Sequence, residues 1–284
     1  MMNALEITNL TKEYKDFKLD KVSLKLPSGC IMGLIGENGA GKSTMIKLIM
    51  DAIKRDSGEI IILGKDNRSD DFKLTKEDIG IVLDDIGFPE IITAKQLNAI
   101  MKMTYQNWEE ETYFRYIARF SLPEKKPIKD YSRGMKMKLA IAAAMSHRAR
   151  LLILDEATSG LDPIVRDEIL DIFLEFTRKE EHSILISSHI VSDLEKLCDY
   201  IAFLHKGKLI FCEEKDRLLE TYVMLHCKKT ELNALQLSAV KGKRENSYGV
   251  DALVERKKVP RGMNVENASI EDIILFMVKG VDKQ

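Results

Sequence analysis

The run GENGAGKST, Gly36 to Thr44, follows the apolar stretch CIMGLI and leads into the periodic stretch TMIKLIMDAIK. It fits G-x-x-x-x-G-K-[ST] in the strand, turn and helix setting that gives the pattern its meaning. A chain built around it needs a buried strand, a glycine-rich turn, and a helix whose first N–H groups face that turn. Glycines let the N–H groups of the turn close around phosphate oxygens, and the helix N-terminus adds positive potential. Gly36, Asn38, Gly39, Ala40, Gly41 and Thr44 make the cradle, Lys42 reaches the β- and γ-phosphates of a nucleotide, and Ser43 can ligate Mg²⁺.

A second signal is LLILDE, Leu151 to Glu156, four apolar residues that end in two acids. In an open parallel sheet, ligands sit beyond the carboxyl ends of the strands, so Asp155 and Glu156 are expected to emerge beside the phosphates. Asp155 suits Mg²⁺, directly or through water, and Glu156 suits the attacking water as general base or orienter.

Other apolar runs bounded by turn residues are GEIIILG, DIGIVLD and SILISSH, with helical periodicity between several of them. The alternation predicts an α/β domain with a largely parallel sheet. YIAFLHKGKLIFC reads as a hairpin turning at Gly207, and Ile91 to Ser121 reads as an inserted helical subdomain. After about Leu219 the pattern changes to YVMLHCKK, a basic loop VKGKREN, VDALVERKKV and ASIEDIILFMVKG. This predicts a small β-rich unit closed by one helix, with Ser269 and Asp272 at its start and Ile270, Ile273, Ile274 and Met277 on one face. The basic residues Lys241, Lys243, Arg244, Arg256, Lys257, Lys258 and Arg261 read as a solvated face.

The chain has 284 residues, 45% of them hydrophobic, enough for one large core and a smaller companion. Lysine and arginine number 44 against 45 acids, a net charge of -1, so no global electrostatic case exists for nucleic acid as the partner. Cys30, Cys198, Cys212 and Cys227 form no CxxC pair and read as small buried hydrophobes in a reducing cytosol. No export signal and no run of roughly 18 apolar residues is expected, so any membrane span belongs to another chain.

YSRGMKMKL, Tyr131 to Leu139, breaks local rules. A helix starts there with Ser132 as its N-cap, yet Arg133 and Lys136 fall in the first turn, where the dipole disfavours cations, and Gly134 costs roughly 0.5–1 kcal/mol against alanine.

Together these motifs resemble the ATP-binding subunit of an ABC transporter. GENGAGKST is similar to its phosphate loop, LLILDE to its second acidic motif, SGLD (Ser159 to Asp162) to its D-loop, and SSHI to the switch carrying His189. The ordered set covers about Leu5 to Glu214. NWEEETYFRYIARFSLP and YSRGMKMKL look like the bacterial branch that pairs with ABC-2-type permeases. The resemblance implies a P-loop NTPase core with a mainly parallel sheet, an antiparallel β subdomain, a helical subdomain at about 88–147, and a small C-terminal α+β extension. The ATP-binding domain would cover 1–219 and the accessory domain 220–284.

It also implies ATP and Mg²⁺ as ligands, with Tyr14 stacked on adenine and His189 as γ-phosphate sensor. Asp162 would link the two sites of a dimer. Ser132 and Gly134 would approach the γ-phosphate held by a second ATP-binding subunit, so an anion would be the missing partner of Arg133 and Lys136. A separate transmembrane permease would hold the protein on the inner face of the cell membrane, with export of a drug, peptide or lipid-like compound. Three motifs depart from the family pattern: the signature, with Tyr131, Arg133 and Met135 for leucine, glycine and glutamine; the second acidic motif, with Ala157 for a frequent proline; and IGIVLDDIGFPE, with Asp84 or Asp85 where a metal-holding glutamine is usual. Asp84 in that place would make nucleotide binding more dependent on the divalent ion. Competing readings are an ABC-type switch on ribosomes or DNA, and a small-metabolite kinase.

Overall fold

The computed structural model describes residues 2–233, 235–247 and 249–281. Strands β1 (Asn3–Glu13) and β2 (Lys18–Pro27) pair antiparallel, and β2 alternates buried and exposed residues as a half-covered sheet requires. β3 (Ile31–Ile35) is buried along its whole length, which demands partners on both edges and cover on both faces. The run GEIIILG forms β4 (Ser57–Ile62), which alternates in burial and joins β1 and β5 (Lys65–Asp66) in an antiparallel sheet of order β2-β1-β4-β5. It therefore lies outside the parallel sheet.

That parallel sheet gathers the fully buried runs. β3 has β8 (Ser183–Ser188) on one side and β9 (Tyr200–His205) on the other, both parallel to it. β7 (Leu151–Asp155) and β6 (Ile79–Val82) extend it in parallel, and β10 (Lys208–Glu214) borders β9, reached through the two-residue turn Lys206–Gly207. Register places Ile35 opposite Ser188 and Asp155 opposite Ser187. Three neighbouring strands thus end side by side, and Gly36, Glu156 and His189 are the residues that leave them.

Helix α1 (Lys42–Ile49) follows the glycine-rich turn, and the short α2 (Phe72–Thr75) precedes β6. The helical insertion comprises α3 (Ala94–Thr104), α4 (Glu110–Arg119) and α5 (Arg133–Ala144). Thr93 and Gln96 form a reciprocal capping box on α3, and the buried Tyr113 hydroxyl donates to the Ala94 carbonyl at 2.9 Å, tying α4 to the start of α3. α6 (Pro163–Phe176) opens on Asp162, whose carboxylate accepts from the Val165 N–H, and α7 (Val191–Leu197) covers the sheet. Where α5 gives way to β7, His147 is buried at 1% exposure and stacked on Tyr105 with centroids 4.0 Å apart. Its Nδ1 meets the Glu77 carbonyl at 2.9 Å, its Nε2 has no hydrogen-bond partner among the described residues, and burial lowers its pKa.

The chain divides into two units, Met1–Phe211 and Cys212–Gln284, a division ahead of the expected boundary after Leu219. The second unit contains α8 (Lys215–Thr221), β11 (Tyr222–Cys227), α9 (Lys229–Asn233), β12 (Val240–Asn246), β13 (Gly249–Glu255), β14 (Val265–Asn267) and α10 (Ile270–Val281). Its sheet runs β12-β13-β11-β14 with antiparallel pairs. The basic stretch expected as a loop is strand β12; its charges find carboxylates, with Lys241 on Glu255 at 2.6 Å and Arg244 on Asp251 at 3.3 Å. The expected start of α10 is present, Ser269 Oγ accepting from the Asp272 N–H and the Asp272 carboxylate from the Ser269 N–H. Ile270, Ile273 and Phe276 carry its buried face, whereas Ile274 and Met277 are half-buried. α10 meets β12 through glycines: a Cβ on Gly242 would fall inside the Phe276 carbonyl oxygen, and one on Gly280 inside the Lys241 carbonyl oxygen.

Two outcomes are expected. Gly242→Ala pushes α10 off its strand, so limited proteolysis of the second unit should accelerate, with a loss on the order of 1–3 kcal/mol in its unfolding. His147 is held neutral in the folded chain, so the stability this contributes is complete above its ordinary value near 6.5 and is lost as pH falls below it. The thermal midpoint of the native protein should then fall more steeply between pH 7 and 5.5 than that of His147→Asn.

Candidate functional site

The convergence of three strand ends on α1 builds the site. Gly41 takes φ 109°, a left-handed conformation that turns the chain from the loop into α1. Lys42, the first residue of the helix, is only 6% exposed. Its ammonium donates to the Gly36 carbonyl at 2.7 Å and the Glu37 carbonyl at 3.3 Å, and lies 3.5 Å from Glu156 Oε1. The other Glu156 oxygen stands 2.7 Å from His189 Nδ1. Glu156 holds φ 52°, unusual for a residue with a side chain, and its N–H is pinned by the Ser187 carbonyl and hydroxyl, each at 3.1 Å. Asp155, buried beside it, accepts from Ser187 Oγ at 2.5 Å.

Gly41, Lys42, Glu156 and His189 border a cavity of about 760 Å³ whose wall also takes in Asp16, Phe17, Glu37, Asn38, Gly39, Ser43, Thr44, Asp84, Arg133 and Ser159. The residues suit a nucleoside triphosphate with its metal. Gly39 leaves open space where a Cβ would stand, Lys42 offers a desolvated cation, and Ser43 places a hydroxyl oxygen, a donor type that Mg²⁺ accepts, in the wall, whereas the Asp155 carboxylate lies buried behind the wall on Ser187. Gly36 and Ala40 support the loop from behind, the first through its carbonyl to Lys42, the second buried.

Among Tyr14, Asp84, Ser132, Gly134 and Asp162, only Asp84 lines the cavity wall. Tyr14 is 45% exposed, carries the Lys12 ammonium 5.5 Å from its ring centroid, and is outside the cavity wall; Phe17 is the aromatic that lines it. Asp84 does line it, but is held by Arg133 at 2.8 Å. Ser132 and Gly134 lie outside the wall, Ser132 capping α5 by accepting from the Met135 N–H at 3.2 Å. Asp162 caps α6 and is not part of the cavity wall. Within the single chain the cations of α5 already meet carboxylates, Arg133 that of Asp84 at 2.8 Å and Lys136 that of Glu90 at 3.0 Å.

Asp16, Phe17, Glu37, Arg133 and Ser159 were not legible as wall residues. Glu37 and Ser159 lie inside motifs already marked, so adjacency was an available signal; Asp16 and Phe17 had none, because the β1–β2 turn reaches the site only through the tertiary fold.

Comparison with known proteins agrees with this geometry. The family profile described as ABC transporter matches residues 19–159. The lantibiotic transport ATP-binding protein SrtF of Streptococcus pyogenes is 37% identical over 215 residues, covering 75% of this chain and 91% of SrtF. The bacitracin transport ATP-binding protein BcrA of Bacillus licheniformis is 37% identical over 218 residues, 74% of this chain and 69% of BcrA. Among solved structures, an ATP-binding subunit of an ABC transporter superposes with a TM-score of 0.69 at 28% identity, over 76% of this chain and 91% of that one. A dimeric cassette, MJ0796, bound to ADP and phosphate shares the fold, with a TM-score of 0.67 at 22% identity over 74% of this chain and 98% of that one. A buried lysine in a phosphate loop, an acid pair at a strand end, and relatives of this likeness lead to one conclusion: the chain belongs to the ABC transporter family and is an ATP-binding subunit that hydrolyses ATP.

Proposed function

We propose that two ATP-binding subunits, two copies of this chain or one with a close paralogue, clamp two MgATP molecules between them and drive a separate membrane permease that exports a peptide antibiotic or similar amphiphile. The observation that carries the reading is Glu156, suspended between the Lys42 ammonium and the His189 imidazole at the mouth of the phosphate loop. The substrate's metal neutralises charge developing on the phosphates. Lys42, now satisfied by backbone carbonyls and Glu156, turns to the β- and γ-phosphates when they arrive, which frees Glu156 to orient water and take its proton. His189 steadies that carboxylate and senses the γ-phosphate. Ser43 and Asp155 hold the metal; Asp84 joins them only after Arg133 releases it. Phe17 takes the place against the nucleotide first assigned to Tyr14.

Ser132 is exposed and Gly134 half-buried, and neither lines this chain's own cavity, which supports their facing the nucleotide of a partner, with Asp162 at the same seam. The likeness to SrtF and BcrA, ATP-binding proteins of lantibiotic and bacitracin transport, supports a peptide-antibiotic cargo. No described helix is long and apolar enough to cross a membrane, in keeping with a permease on another chain. A switch on ribosomes or DNA finds no support among these relatives. The small-metabolite kinase has no role for Ser132, Gly134 and His189 together.

Glu156→Gln should cut ATP turnover by about 10²–10⁴ while MgATP still binds, as loss of a general base does. Turnover near that of the native protein removes Glu156 from the mechanism. Light scattering of Glu156→Gln should give a doubled mass with MgATP, and the doubling should vanish when Ser132→Arg is added. A doubling that survives Ser132→Arg places the partner contact elsewhere.

A further inference from the structure

The hairpin of β9 and β10 touches the phosphate loop at Gly36, Glu37, Ala40 and Gly41. The Leu204 carbonyl closes the space behind Gly36, so that a side chain there would strike it, and the Leu204 side chain lies against Gly41. The Gly207 N–H donates to the Ala40 carbonyl at 3.1 Å. Between them His205, 5% exposed and stacked near Phe203, brings Nδ1 within 3.1 Å of Glu37 Oε1.

Glu37 is the one carboxylate in the run Gly36 to Thr44, and it lines the cavity that must admit a polyanion. An uncompensated negative charge there opposes phosphate binding. Its backbone matters as much, because the Glu37 carbonyl accepts both from Lys42 and from the Ala40 N–H that closes the loop. One residue therefore carries a charge of the wrong sign and two of the hydrogen bonds that set the loop's shape.

We propose that His205 is a positioning residue for ATP: by holding the Glu37 carboxylate against the β9–β10 hairpin, it fixes the phosphate loop and withdraws the loop's own negative charge from the phosphates. It touches neither nucleotide nor metal. Its effect passes through Glu37, so it acts on affinity for MgATP and leaves the hydrolytic group, Glu156, in place.

The test is calorimetric titration of MgATP into the full chain carrying Glu156→Gln, which suppresses turnover. His205→Leu should weaken binding about tenfold, the scale of one lost hydrogen bond to a charged group. His205→Asn sets an amide N–H close to the position of Nδ1 and should stay within about threefold of the parent, whereas His205→Gln, whose amide falls near Nε2, should resemble His205→Leu. Adding Glu37→Gln to His205→Leu should recover most of the loss, which a general packing defect would not allow.

Unchanged affinity in His205→Leu overturns the proposal, as does a loss that Glu37→Gln leaves untouched. If His205→Leu does not fold, the comparison of His205→Asn with His205→Gln decides, and equal affinities overturn it. The inference rests on Gly36–Thr44 being the phosphate loop. A parent protein that fails to bind MgATP overturns that reading as well, and so separates the two failures.

Discussion

A lysine ammonium removed from water has to be answered by oxygens, and the first unit is arranged around the answer to Lys42. Two carbonyls come from the turn that precedes it and one carboxylate from the end of β7. For the carboxylate to arrive, β7 must lie one strand from β3, with β8 between them in a register that ends all three together. Such desolvation is costly unless every donor is paired, which makes the strand order and the loop conformation depend on one another. The same cation is what a phosphate would claim. The partners holding Lys42 therefore describe both the stability of the free protein and the rearrangement that binding demands.

The cations that open α5 obey a related logic over longer range. A helix start that carries Arg133 and Lys136 is unfavourable by itself. Carboxylates from the segment after β6, Asp84 and Glu90, come to meet them. Both pairs are well exposed and contribute little to stability. Their value is geometric: they bind the start of α5 to the segment that carries Asp84 into the cavity wall. In the single chain Arg133 thus looks inward, at its own cavity.

The parts legible in the sequence were those whose chemistry is local. The phosphate loop, the acids ending β7, the Ser132 cap and the Ser269 capping box each depend on residues within a few positions of one another. What escaped was set by contacts between distant segments. GEIIILG reads like its parallel neighbours, yet pairing with β1 takes it to another sheet. VKGKREN reads as a solvated loop because Val240 is its one large apolar residue, and Gly242 matters through the helix that presses on it. Tyr14 and Phe17 are three residues apart, and only the β1–β2 turn decides which of them reaches the cavity. The pairing of Glu37 with His205 spans most of the first unit and has no local signature at all.

Glu156 has a left-handed backbone, and that has an evolutionary side. Glycine or asparagine would occupy φ 52° with less strain than glutamate. A lineage drifting under selection for stability alone would find relief at the position where the carboxylate is needed. The strained glutamate therefore marks a site where activity and stability pull apart, because the residues that would relieve the backbone strain lack the carboxylate.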